Sequence, residues 1–240
     1  MGRLLLLLRL DGPIQSWGLR SRWDVRDTGD EPSKSAVIGL LGGALGLPVG
    51  DGRLVELDRQ LQMGVRVEHP GLRAIDYQTV TGMLPTAAGG TKGTDDHPST
   101  IISPRAYLYD AAFLVGLAGP EDLLRECARA LEHPKWPVYL GRKACIPTRP
   151  VLEGLTEAYA DLEDALKHYR WDWAGRATLK EFPQSLTVVL ESPDGEVLRP
   201  DRVQTNPARM YATRAVKLLP PVPFPGAAPE LESVHVGEGD

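Results

Sequence analysis

The chain has 240 residues, enough for one large domain or one compact domain with a smaller appendage, and enough to bury a substantial core. Its apolar, charged, Gly and Pro contents exclude a collagenous, disulfide-scaffolded or wholly disordered protein. The net charge of −5 excludes a global basic field, although residues 1–26 carry Arg3, Arg9, Arg20, Arg22 and Arg26 against only Asp11 and Asp24.

Residues 3–10 are apolar at both alternating positions and predict a strand buried on both faces. The run Leu4–Leu8 ends at Arg9, too short for a signal peptide or a bilayer span. A loop covers 11–32, broken by Gly12-Pro13 and Gly29 to Pro32. A helix starts near Ser33–Ser35, either of which can cap it, and stops at Gly46 to Pro48. Residues 53–62 read as a second helix, Met63–Glu68 and Arg73–Val80 as strands. Residues 82–100 have no periodicity and read as a mobile loop. Strand character resumes at Ile101 and runs through Tyr107–Leu117, so that 73–117 reads as one long hairpin arm.

Pro120 suits a first helical position, and Leu123, Leu124, Cys127, Ala128 and Leu131 then share one helix face. Tyr139 to Lys143 reads as a short strand entering a basic Gly turn, and 157–168 as a helix. Leu186–Glu191 reads as a strand, Ser192-Pro193-Asp194-Gly195 as a hairpin turn and 209–219 as a last strand. From Pro220 the chain is Pro-rich, then acidic, and reads as a disordered tail. Cys127 and Cys145 form no CxxC pair, which fits a reduced, cytoplasmic compartment.

Four segments have binding chemistry. In GPIQSWG (12–18), Gln15 and Ser16 offer hydrogen bonds and Trp17 a stacking face for a base; the plainer reading packs Trp17 in the core. Pro32-Ser33-Lys34-Ser35 opens a helix whose free N–H groups suit a phosphate, or simply a cap. Tyr139, Gly141, Arg142 and Lys143 form a candidate phosphate-binding turn, or an ordinary solvated basic loop. Around 77–105, Tyr77, Thr79 and Arg105 sit where a strand leaves the core. Gly39, Gly42, Gly43 and Gly46 fall on one helix face and imply close packing, by preference against the sheet. His69, His97, His133, His168 and His235 make no metal-ligand spacing, and no nucleophile elbow or dinucleotide turn is present, so no metal or cofactor is expected.

Five blocks in order (LLLLLRLDGPIQSWG, PSKSAVIGLLGGALGL, DYQTV, SPRAYLYDAAFLVGL and PVYLGRKACIPTRPVLEG) resemble the CasD family, over residues 4–153. CasD is the RAMP-superfamily subunit of the type I-E CRISPR surveillance complex, Cascade. The resemblance implies an α+β, ferredoxin-like (RRM-related) body over 1–153 with a thumb at about 77–105. A β-rich extension would follow over 154–219, with a tail over 220–240. It implies a non-catalytic subunit that grips the 5′ handle of the crRNA and the start of the guide. Neighbours would be CasC, CasA and the target DNA near the PAM-proximal end of the guide, with no membrane. The grip would fall on Gln15, Ser16, Trp17, Arg20, Arg22, Ser33, Lys34, Ser35, Tyr139, Gly141, Arg142 and Lys143, and the thumb contacts on Tyr77, Thr79 and Arg105. Two alternatives stay open: a metal-independent endoribonuclease that cuts repeat RNA, as in the related type I-C branch, and a subunit that serves chiefly as a protein-interaction piece.

Overall fold

The computed structural model describes residues 2–19, 25–86, 88–170, 185–204 and 212–223. Up to the arm the elements are β1 (Leu5–Asp11), β2 (Ile14–Gln15), α1 (Lys34–Leu45), α2 (Gly52–Gln60), β3 (Gln62–His69) and β4 (Leu72–Gly82). Next come β5 (Leu84–Pro85), β6 (Thr91–Lys92), β7 (Ser99–Tyr109), β8 (Ala112–Ala118), α3 (Glu121–Glu132), β9 (Leu152–Thr156) and α4 (Leu162–His168). The chain continues with β10 (Ser185–Glu191), β11 (Val197–Arg202), β12 (Ala212–Leu218) and β13 (Val222–Pro223). The fold is mixed α/β with antiparallel sheets.

The main sheet runs β11-β12-β10-β3-β8-β1-β9, with β13 beside β10. β1 lies between β8 and β9, and its leucines divide by the two-residue period of a strand. Leu4, Leu6, Leu8 and Leu10 enter the core under α1, α2 and α3, packed with Val37, Leu57 and Leu124. Leu5 and Leu7 enter the opposite core, with Leu162 and Leu166 of α4. Each buried leucine contributes about 1.5–3 kcal/mol. Gly64 and Gly116, paired across β3 and β8, let α4 approach: added Cβ atoms would lie 2.4 Å from Leu166 Cδ1 and 2.5 Å from Leu162 Cδ1.

Arg9 projects toward the α4 side and forms a buried ion pair with Glu68 and another with Glu153 at 3.0 Å. Arg66 pairs with Glu68 at 2.6 Å and donates to the Leu166 and Tyr169 carbonyls at the end of α4. Tyr169 donates its hydroxyl to Glu153 at 2.9 Å. The buried charges are thus paired, as burial demands.

The arm is an eleven-residue ladder between β4 and β7, with β5 and β6 pairing near its tip and β2 edging its base. Several sequence expectations change. Residues 73–117 do not form one hairpin: β7 ends at Tyr109, Asp110 takes φ 55°, and β8 enters the main sheet. Tyr139 to Lys143 is a turn without a strand. The helix expected over 157–168 begins only at Leu162, because the Asp161 carboxylate caps it by accepting from the Asp164 N–H at 2.8 Å. The Ser192–Gly195 turn closes (Gly195 N–H to Ser192 carbonyl, 3.0 Å) but joins no hairpin, since β12 inserts between β10 and β11. β9 was not expected, nor were β5 and β6 inside the stretch read as a mobile loop. Of the last strand, 209–211 lie outside the described residues. Val222 and Pro223, within the expected tail, pair with Leu186 and Ser185; 224–240 lie outside the described residues.

Candidate nucleic-acid interface

The GPIQSWG turn faces inward. Gln15 is fully buried; its amide donates to the Leu10 and Ala111 carbonyls at 3.1 and 2.7 Å and accepts from the Trp17 indole N–H at 3.2 Å. Ser16 donates to the Ala106 carbonyl at 3.2 Å. Trp17 is 0% exposed and meets Phe113 edge-on at 6.5 Å. Its ring is a core element in this fold and presents no open face for stacking.

The helix start at α1 is also occupied. The Lys34 backbone N–H donates to Asp201 at 2.7 Å, so an internal carboxylate already stands where a phosphate was expected. Lys34 is 1% exposed and its ammonium pairs with Glu191 at 2.8 Å. Burial pushes the Lys34 ammonium below its ordinary value, partly offset by the Glu191 charge. Ser33 is buried, and its hydroxyl lies 3.4 Å from that of Ser35. Lys34 thus joins the C-terminal strands to α1 and presents no charge outward. The glycine stripe is mixed: Gly42 packs tightly on Leu54, while Gly39 and Gly43 face open space.

The turn at 139–143 remains accessible. Gly141 has φ 92°, and a Cβ there would sit 1.8 Å from the Ser16 carbonyl oxygen, so the turn rests directly on the GPIQSWG backbone. Arg142 stacks over the Tyr107 ring at 4.5 Å. Its guanidinium donates to the Ala106 carbonyl at 3.0 Å and to those of Arg26 and Asp27, both at 3.2 Å. Tyr139 and Lys143 are exposed. Arg26 bridges Arg105 in β7, which brings a third arginine to the base of the arm. Among the described residues, none of Arg26, Arg105, Arg142 and Lys143 forms a salt bridge. Arg26 escaped the sequence reading as a site residue because its neighbour Arg105 is distant in sequence. Arg20 and Arg22 lie outside the described residues.

The arm separates its candidates by face. Tyr77 pairs across with Pro104, and Thr79 with Ile102, while Arg105 stands opposite Asp76 on the other face. Tyr77 is 66% exposed, beside exposed Ile75 and Ile102. Arg105 shares its face with Tyr107, under Arg142. The site therefore has two parts, a cationic base and an exposed aromatic–aliphatic arm face.

Residues 5–217 match the family described as CRISPR-associated protein (Cas_Cas5). The chain is 35% identical over 181 residues to the CRISPR system Cascade subunit CasD of Escherichia coli (strain K12), covering 70% of this chain and 77% of that one. Among solved structures it resembles a chain of a CRISPR RNA-guided surveillance complex, with TM-score 0.71, 32% identity, and coverage of 92% of this chain and 91% of that one. It also resembles a Cas protein crystal structure, with TM-score 0.70, 36% identity, and coverage of 94% and 100%. This chain belongs to the CRISPR-associated Cas5 family.

Proposed function

We propose that this protein is a non-catalytic crRNA-binding subunit of a type I-E surveillance complex. It holds the 5′ handle at the base of the arm and the first guide nucleotides along the arm. The observation that carries the reading is the meeting of Arg26, Arg105 and Arg142 at one place, with Lys143 adjacent and no carboxylate pairing them among the described residues. Guanidinium and ammonium groups left without carboxylates suit phosphates. The exposed Tyr77 ring and its apolar neighbours suit contact with an unstacked base.

The body reads as a ferredoxin-like domain and the arm as its thumb. Supporting this are the chain order β1, α1, α2, β3, β8, α3, β9 and the spatial order β9-β1-β8-β3. The neighbours would be CasC, CasA and target DNA, and the compartment the cytoplasm. No helix among the described residues is long and apolar enough to cross a membrane.

The test incubates the protein with labelled repeat-derived RNA in EDTA and runs native and denaturing gels of one mixture. A native shift with intact RNA is expected. A discrete cleavage product would replace this reading with the endoribonuclease.

A further inference from the structure

A second basic feature lies at the opposite end of the sheet from the arm base. A cleft of about 550 Å³ is lined by Arg3, Arg59, Gln62, Glu191, Arg202 and Arg214. A recess of about 480 Å³ shares Arg59, Arg202 and Thr213 with it and reaches Asp58. Here β3 begins and β8 and β10 end, whereas the GPIQSWG turn and the arm base follow the other end of β1. The seven residues of β1 alone separate the two ends by about 20 Å.

Among the described residues, the carboxylates that line these recesses or reach their arginines are already committed. Glu191 holds Lys34 at 2.8 Å, Asp58 holds Arg202 at 2.9 Å, and Asp201 holds Arg214 at 2.8 and 3.0 Å. Arg3 and Arg59 are exposed and have no hydrogen bond or ion pair from their side chains among the described residues. In a chain of net charge −5, two guanidiniums thus have no carboxylate partner among the described residues and stand beside an open cleft. Among the described residues no aromatic ring lines either recess, so none of them offers a base a stacking face. What fits is an anion recognised through charge and N–H donors alone.

We infer that the cleft between Arg3 and Arg59 is a second nucleic-acid site, which holds the phosphodiester backbone of a strand without reading its bases. Such a contact suits a strand of variable sequence, either the guide RNA or the target DNA. The inference rests on the proposed function, because it assumes that the protein works on a ribonucleoprotein.

The test uses the protein assembled with crRNA and its partner subunits, bound to target DNA. Both native cysteines are buried, so one introduced surface cysteine carries a thiol-linked photo-crosslinker selectively. Thr213→Cys places it in the cleft and Thr81→Cys on the arm. Guide and target strands are labelled in separate reactions, which identifies the strand. The expected result is a nucleic-acid cross-link from position 213 that falls to background when Arg3→Ala and Arg59→Ala are added. A cross-link from position 81 alone would overturn the cleft site and leave the proposed function standing. Cross-links from neither position would overturn both. A cross-link from 213 that persists in the double arginine variant, or that joins a partner subunit instead of a strand, would overturn the assignment.

Discussion

The Lys34 ammonium reaches both carboxylate oxygens of Glu191, at 2.8 and 2.9 Å, inside the protein. The pair ties the first turn of α1 to the end of β10, and Glu191 also accepts from the Met63 N–H at 3.0 Å. A lysine next to two serines at a helix start looks like a phosphate ligand in sequence. In the fold it is a buried tie between the two halves of the chain.

Lys34→Ala should therefore act on stability. Removing one member of a buried pair leaves the other charge uncompensated and costs about 3 kcal/mol. Urea unfolding should show a lower midpoint with unchanged slope. The RNA affinity of the folded variant should equal that of the parent. Unchanged stability with weakened RNA binding would return Lys34 to the RNA contacts.

Trp17→Ala should behave as a core truncation. The ring is 0% exposed against Phe113, and large-to-small changes of this kind cost about 3–5 kcal/mol. Thermal unfolding reads the loss directly. A stable variant with a specific RNA defect would show that Trp17 turns outward to stack on a base.

Gly141→Ala should displace the basic turn. The new Cβ would meet the Ser16 carbonyl oxygen at 1.8 Å, in a left-handed conformation that costs about 1–3 kcal/mol for a side chain. Because Arg142 is held through that turn, both stability and RNA affinity should fall together. Loss of neither would mean that the turn does not rest on Ser16.

Acid stability should depend on Glu153. Burial pushes its carboxyl up, but the Arg9 hydrogen bond and charge, with help from Tyr169, reverse this and hold it below its ordinary value. A carboxylate whose folded value lies below its unfolded value stabilises above the unfolded value. That contribution is lost as pH falls through the folded one. The parent should lose stability as pH drops from the ordinary carboxylate range downward. Glu153→Gln should be less stable at neutral pH and show a flatter acid limb in pH-dependent urea midpoints. An unchanged acid limb would exclude this network as its source.

The sequence displays those elements whose signal is local. β1 follows from an apolar run at both alternating positions, and α3 from Pro120 and a single apolar face that is buried at Leu124, Cys127, Ala128 and Leu131. The Gly141 turn also follows from local pattern. What depends on distant partners was hidden. Lys34 meets Glu191 157 residues later, and β12 inserts between two strands joined by a good turn sequence. β9 contains Glu153 and Gly154, and so lacks a strong strand pattern; its pairing with β1 supplies what its own residues do not. Trp17 favours burial by residue type but leaves a stacking role open, and packing decides.

Salt dependence reads the cationic grip at the arm base. Affinity for crRNA would be measured against ionic strength for the parent and for Arg105→Ala with Lys143→Ala. Neither side chain anchors the core, so the variant should fold as the parent does. Single-strand binding loses about 0.7 in logarithmic slope per phosphate contact, so the double variant should bind more weakly with a slope shallower by about 1.4. The parent's affinity and slope in a folded double variant would mean that Arg105 and Lys143 hold no phosphate.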